Sequence, residues 1–454
     1  MLKQHLRLFL ALVIWLSATQ GYQNCANSQR QRQRQSTPTQ ILAASSWSNL
    51  EESLAIQSKK KTVSIDSALD TSTPNFSTER PTLFRERHGW CPYSERVWLA
   101  LELAGSNTQT TIEYDTIRID NTGHGPRPSY FGGQTPQMRW PEGRTQGESM
   151  DLVGEIDQRY ANGSLLSSDP KVQEFIRQFS NIFPRARPSS RAAYLFQYNG
   201  DPISMPTFEE TLQKANDQLF VEGSSGPFMA GHDTPTAADI AYAPFLERYR
   251  YQLPCLHPGL DPTDASKYPQ LAKWYDTMDQ IPAYACKVKG DASSWRKVLT
   301  MAGFGNAGLP PSIQQNMQER IVWEETQAKE CINQALWERY HQDNEDDVAK
   351  SPYWDVATII TENKEAIIKD AQKRMDTEAS VLNDVLMGLV TRLVEYEEGQ
   401  DFPLHLEEED MKITVQVAKM ATYLDDRMCV PRDMGAMSAS VLKTVSVAMR
   451  EVLP

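Results

Sequence analysis

Every stretch of this chain that reads as a β-strand lies between residues 82 and 146, and from Lys171 to about Lys289 the strand signals vanish. That division restricts the fold to an α/β unit followed by a helical one. "TLFRERHG" supplies a first short strand. Val97, Leu101 and Leu103, with Ala100 and Ala104, then give the apolar face of a helix ending at Gly105. The run 111–119, "TIEYDTIRI", has the β-branched and aromatic content of a second strand. Pro141-Glu142-Gly143 marks a tight turn between two more, and Glu148-Ser149 opens the next helix. The order strand, helix, strand, hairpin, helix defines a small α/β unit over 80–161.

Helical periodicity carries the following region, 170–300, through "VQEFIRQFSNIF", "TFEETLQKANDQL", "TAADIAYAPFLERYRYQL" and "YPQLAKWYDTMDQI". Thr236 and Asp239 have the spacing of a capping box, with Pro235 and Ile240 placed to staple it. Taken alone, that box says only that a helix starts there. "GFGNAGLPPS" (303–312) is a boundary, and 312–454 continues as a helical extension with amphipathic runs over 313–341, 354–397 and 409–428. The acidic run Glu407–Asp410 reads as a solvated helix start.

The formal net charge of −13 argues against nucleic-acid or anionic-membrane partners. Six cysteines lie far apart without a CxxC pair, the seven histidines are scattered, and no HExxH occurs, so neither a metal site nor a disulfide framework is expected. Residues 1–21 read as a signal peptide: Lys3 and Arg7, then the apolar run Leu8–Leu16, then small residues. Residues 22–79 read as disordered, and their first part, including "QRQRQRQSTPTQ", has no acid before Glu51 and is transit-like. Signal plus transit segment resembles the two-part plastid leader of algae with secondary plastids, where an aromatic, here Tyr22, follows the cleavage point. The alternative is secretion with a disordered arm; in either case no membrane anchor is expected in the mature chain.

Cys91 is the one thiol at an evident boundary. A helix N-terminus presents free N–H groups and the positive end of the dipole, which stabilise a thiolate relative to the thiol value of about 8.5. Pro92 suits the first helical position. Ser94 stands where a second cysteine would complete CxxC, so an oxidised Cys91 needs an outside thiol to resolve it. The competing reading is an inert buried cysteine at a turn. Cys255, Cys286, Cys331 and Cys429 read as packing residues in apolar helical surroundings, Cys25 departs with the leader, and "FLERYRYQL" reads as helix core before acceptor pocket.

"CPYSERVWLALELAG" resembles the active-site helix of cysteine-type glutathione transferases: the omega and lambda classes, dehydroascorbate reductases and their chloride-channel relatives, which share Cys-Pro-aromatic-x-x-Arg. Thr135-Pro136 resembles the residue–cis-proline pair that meets the cysteinyl part of glutathione. Glu148-Ser149 resembles the pair that holds its γ-glutamyl group, and Thr236–Asp239 resembles the family's helix box. The resemblance spans 81–289. It implies a thioredoxin-like domain followed by an all-helical domain, glutathione as co-substrate, catalysis by Cys91, and binding by Tyr93, Arg127, Thr135, Pro136, Glu148 and Ser149. Arg127-Pro128 stands where omega enzymes carry Lys-Pro, and "TPQMRWPEG" is less apolar than the usual strand. The function implied is thiol transfer or reduction through a Cys91 mixed disulfide, on dehydroascorbate or a glutathionylated acceptor. It also allows a homodimer. The rival is a non-catalytic scaffold of the same fold that binds partners through 312–454.

Overall fold

The computed structural model describes residues 46–54, 62–70, 72–108, 112–121, 127–184, 194–197, 200–221, 226–302, 309–396 and 411–450. The signal-like segment, Cys25, the acidic run Glu407–Asp410 and residues 303–308 of the link lie outside them.

The N-terminal region is thioredoxin-like. β1 (Ser64–Asp66), β2 (Thr82–Glu86), β3 (Asp115–Ile119), β4 (Gln137–Arg139) and β5 (Thr145–Gln146) form one sheet in the order β1-β3-β2-β4-β5. β3 runs parallel to both β1 and β2, while β4 is antiparallel to β2 and β5 to β4. The crossover from β2 to β3 is α2 (Pro92–Thr108), and α3 (Ser149–Tyr160) follows the hairpin. Leu83 and Met138 from the sheet, Leu99 and Leu103 from α2 and Leu152 and Ile156 from α3 are all buried in one core. α2 continues three residues beyond the expected stop at Gly105. β3 begins at Asp115 instead of Thr111, where the Asp115 carboxylate accepts from Val63 N and Arg80 Nε.

The helical domain comprises α4 (Pro170–Arg177), α5 (Phe179–Ile182), α6 (Met205–Gln218), α7 (Ala237–Leu256), α8 (Pro269–Met278), a π-turn (Tyr284–Val288) and α9 (Ala292–Ala302). α7 starts with the capping box: Thr236 Oγ1 accepts from Ala238 N, and the Asp239 carboxylate accepts from Thr236 N. Seventeen of its twenty residues are buried, so it forms the spine of the domain.

The extension contributes α10 (Pro311–Gln327), α11 (Gln334–Asp343), α12 (Pro352–Glu362), α13 (Lys364–Met375), α14 (Ala379–Glu395), α15 (Met411–Arg427) and α16 (Ala436–Arg450). α10 buries Ile313 and Met317 in the first core, although the sequence reading grouped it with the extension. Helices α12 to α16 build a second core. α16 lies beyond the amphipathic runs read in the sequence.

Two stretches inside 22–79, read as disordered, are regular. α1 (Trp47–Ser53) places Leu50 in the second core, and Trp47 Nε1 donates to Asn383 Oδ1 at 2.8 Å. β1 adds an edge to the sheet. Neither has a local pattern of its own; both are held by partners remote in sequence. Among the described residues no helix is long and apolar enough to cross a membrane.

Candidate active site

The turn before Cys91 is shaped by one buried carboxylate. Glu86 Oε1 accepts from His88 N at 3.0 Å and Oε2 from Trp90 N at 2.7 Å, which folds the end of β2 back toward α2. Cys91 then sits just ahead of α2, half-buried, and its carbonyl takes the helix's first bond, from Glu95 N at 3.1 Å. Its Sγ lies 4.0 Å from the Thr135 carbonyl oxygen. The Thr135–Pro136 peptide is cis. Thr135 Oγ1 accepts from Asn121 Nδ2 at 2.6 Å, and Arg127 reaches the same group, with Nη2 3.5 Å from Asn121 Oδ1 and Nη1 donating to Gly133 O at 2.8 Å. Cys91, Thr135 and Arg127 are thus linked.

Glu148 and Ser149 differ sharply. Glu148 caps α3 with φ 62° and ψ 108°, a conformation costing a non-glycine residue about 1–3 kcal/mol. Its carboxylate is exposed, makes no capping bond and meets no cation among the described residues. Ser149 is buried, and its Oγ accepts from Arg96 Nη1 at 3.4 Å. Arg96 also donates through Nε to Ala241 O at 2.9 Å, joining α2, α3 and α7. Its guanidinium lies over Tyr93, Phe179 and Phe245, and burial lowers its pKa to about 10. The sequence motif contained Arg96 without assigning it this work.

Tyr93 places its hydroxyl 2.9 Å from that of Tyr194 and its ring edge-on to Phe245. Beside Trp90 and Pro92 lies a cavity of about 30 Å3, bounded by Tyr194, Phe245, Arg248 and Tyr249. That is room for about one water molecule. "FLERYRYQL" therefore serves mainly as core and contributes four residues, Phe245, Arg248, Tyr249 and Gln252, to the lining of this small space. Arg248 ties it to the cysteine turn by donating to Glu95 Oε2 at 2.8 Å and to Trp90 O at 3.1 Å.

The extension reaches the same turn. Gly89 has φ 77°, and a Cβ there would stand 3.0 Å from Pro431 Cγ, so both backbone and space require glycine. Arg432 Nη1 lies 3.0 Å from His88 Nδ1, the His88 ring stacks on Trp90, and Val430 N donates to Ser294 Oγ at 2.9 Å. Gly435 presses on Cys286, with a Cβ placed 1.8 Å from its carbonyl oxygen. Nothing local in the sequence signals this docking.

The remaining cysteines divide. Cys255 and Cys286 are buried, as expected, and burial pushes both thiols up to about 12. Cys331 is exposed beyond the end of α10, and Cys429 lies on the docking loop with Sγ 3.7 Å from His88 O, so the expected helical packing holds for neither. Burial also raises Cys429 to about 12, leaving it a protonated donor.

An α/β sheet with a cysteine before its first crossover helix, followed by a helical domain with a buried capping box, is the arrangement that the sequence resemblance to glutathione transferases implies. Residues 204–277 match the family described as "Glutathione S-transferase, C-terminal domain". The chain is similar to "Protein IN2-1 homolog B" of Oryza sativa subsp. indica, 29% identical over 203 residues that cover 43% of this chain and 75% of that one. It is also similar to "Glutathione S-transferase L2, chloroplastic" of Arabidopsis thaliana, 28% identical over 203 residues, 43% of this chain and 62% of that one. Among solved structures, dehydroascorbate reductase of Chlamydomonas reinhardtii aligns at 19% identity and a TM-score of 0.32, covering 54% of this chain and 99% of that one.

Proposed function

We propose that the chain is a glutathione-dependent thiol transferase or reductase acting through Cys91. The observation that carries this reading is the Cys91 thiol at the N-terminus of α2, facing the Thr135 main chain. The Cys91 thiolate attacks the glutathione sulfur of a glutathionylated acceptor, forming the Cys91–glutathione disulfide and expelling the acceptor thiolate, which takes a proton. A second glutathione thiolate attacks that disulfide at the glutathione sulfur, releasing glutathione disulfide and restoring Cys91. With dehydroascorbate, the two electrons supplied by two glutathiones reduce it to ascorbate in place of the acceptor disulfide.

Glutathione lies against the Thr135–Pro136 main chain in this reading. The free Glu148 carboxylate meets its ammonium group, and Ser149 with the first N–H groups of α3 meets its γ-glutamyl carboxylate. Arg127 and Tyr93 flank the site, Arg127 by holding Asn121 against Thr135. Ser94 is buried and accepts from Glu86 N at 3.4 Å, so the enzyme is monothiol. A substrate panel tests the reading: dehydroascorbate and a glutathionylated peptide, each with wild-type protein and Cys91→Ser. Turnover of at least one substrate, lost in the variant, is expected. Glutathione binding without turnover of either would favour the scaffold. The signal-plus-transit composition of residues 1–50 supports a plastid location; a reporter carrying these residues should enter the plastid of a diatom-like host, and its export to the medium would decide for secretion.

A further inference from the structure

The loop between α15 and α16 reaches the cysteine turn from the second core, where its Val430 and Met434 are buried. It is tied internally. Cys429 N donates to Asp433 Oδ2 at 2.9 Å, and Asp433 N donates to the Cys429 carbonyl at 2.9 Å. The Asp433 carboxylate also accepts from Arg432 Nε at 2.6 Å and Nη2 at 2.7 Å. That two-point bond fixes the plane of the guanidinium and leaves Nη1 for the contact with His88 Nδ1 at 3.0 Å. Arginine carries donors only, so Nδ1 is the acceptor and the imidazole is neutral. Burial, which holds His88 below its usual range, favours the same form.

The turn itself is held from two directions. The module holds the main chain at Trp90, through Glu86 Oε2 on its N–H and Arg248 Nη2 on its carbonyl. It also bonds the His88 and Gly89 N–H groups, to the Glu86 side chain and carbonyl. The loop supplies what remains. The His88 carbonyl accepts from Cys429 Sγ at 3.7 Å, and the His88 ring, held by Arg432, stacks on Trp90 with centroids 4.4 Å apart. Gly89, the residue of the turn with the least stiffness of its own, is buried under the Pro431 ring. Cys91 follows directly on Trp90, so a contiguous chain of contacts runs from Arg432 through His88 and Trp90 to the thiol.

On the reading of Cys91 as the reactive thiol, on which this inference rests, we propose that Arg432 is a positioning residue for it. By holding the His88 ring while Pro431 covers Gly89, the extension fixes the turn that presents Cys91 and thereby sets its reactivity. The bonds of Arg432 go to Asp433 and His88, and none of them reaches Thr135, Glu148 or Ser149. Its loss should therefore act on reactivity and spare glutathione affinity. The extension thus takes part in the reaction without touching substrate.

The test alkylates the full chain with iodoacetamide, a neutral reagent, and follows Cys91 and Cys331 separately by peptide mapping. Because a misplacement of about 1 Å can cost on the order of a hundredfold in rate, Arg432→Met should slow Cys91 at least roughly fivefold. Cys331 should keep its rate, and glutathione affinity by calorimetry should stay unchanged. His88→Leu should slow Cys91 to the same extent, and the double variant should be no slower than either single one, since both remove one contact. His88→Gln, whose side-chain carbonyl can still accept from Arg432, should keep most of the wild-type rate. Wild-type Cys91 alkylation in Arg432→Met or His88→Leu, even with a lower melting temperature, would make the contact purely structural and overturn the proposal. Additive slowing in the double variant, or an equal loss of glutathione affinity, would also overturn it. If wild-type Cys91 reacts no faster than Cys331, the reading of Cys91 as the reactive thiol fails as well; a fast wild type with unaffected variants sinks the positioning role alone.

Discussion

Glu148 offers two substitutions that separate charge from backbone. Its exposed carboxylate makes no capping bond and meets no cation among the described residues, so Glu148→Gln should leave stability unchanged while removing the charge offered to the glutathione ammonium. A charge-assisted hydrogen bond is worth about 1.5–3 kcal/mol. At about 1.4 kcal/mol per tenfold, glutathione affinity should fall roughly 10- to 100-fold. Glu148→Gly loses the same charge and also relieves the backbone at φ 62°. The relief of about 1–3 kcal/mol, less about 0.5–1 kcal/mol for the extra freedom of glycine in the unfolded chain, leaves a net stabilisation of roughly 1 kcal/mol. Calorimetric titration with glutathione and thermal unfolding read the two quantities separately. Both variants should bind glutathione equally poorly, and only the glycine variant should melt higher. Wild-type affinity in Glu148→Gln would refute the assignment of Glu148 to the ligand.

Two further outcomes follow from buried polar groups. Asp239 accepts from Met229 N, Thr236 N, Thr236 Oγ1 and Trp274 Nε1 at 2.8–3.0 Å. Asp239→Ala strands three buried N–H donors at about 1–3 kcal/mol each, so denaturant unfolding should show a loss of about 3 kcal/mol or more; a loss below 1 kcal/mol would mean that another acceptor takes over. His88 is held below its usual range by burial, with Arg432 adding to the effect against the pull of Glu86. The folded state therefore binds fewer protons there than the unfolded state, and the contribution of His88 is present above about pH 6.5 and lost as pH falls toward its lowered folded pKa. Melting temperature should drop between pH 7 and 5, and His88→Gln should flatten that drop; an unchanged slope would free the His88–Arg432 contact from any role.

What was legible in the sequence was what depends on neighbours in the chain. Cys91-Pro92 before an apolar helical face, Pro141-Glu142-Gly143 in a hairpin and Thr236–Asp239 as a helix start are settled within a few residues, and each occurs as read. The sequence alone could not reveal contacts between distant segments. β1 is three residues long and exists because β3 offers an edge; α1 exists because α12 and α14 bury Leu50. Arg96 is visible in the motif, but its link to Ser149 and Ala241 depends on how α2 meets α3 and α7. The docking of Cys429–Gly435 on Gly89 and His88 joins segments more than three hundred residues apart, and no periodicity encodes it.

The central claim is that Cys91 carries the mixed disulfide, and the most direct test is to trap it. The full chain, reduced and then treated with glutathione disulfide, is digested and mapped by mass spectrometry. The expected result is a glutathionyl adduct on Cys91, formed faster than on exposed Cys331 and removed by added glutathione. An adduct confined to Cys331, with Cys91 unmodified while the protein remains folded, would contradict it.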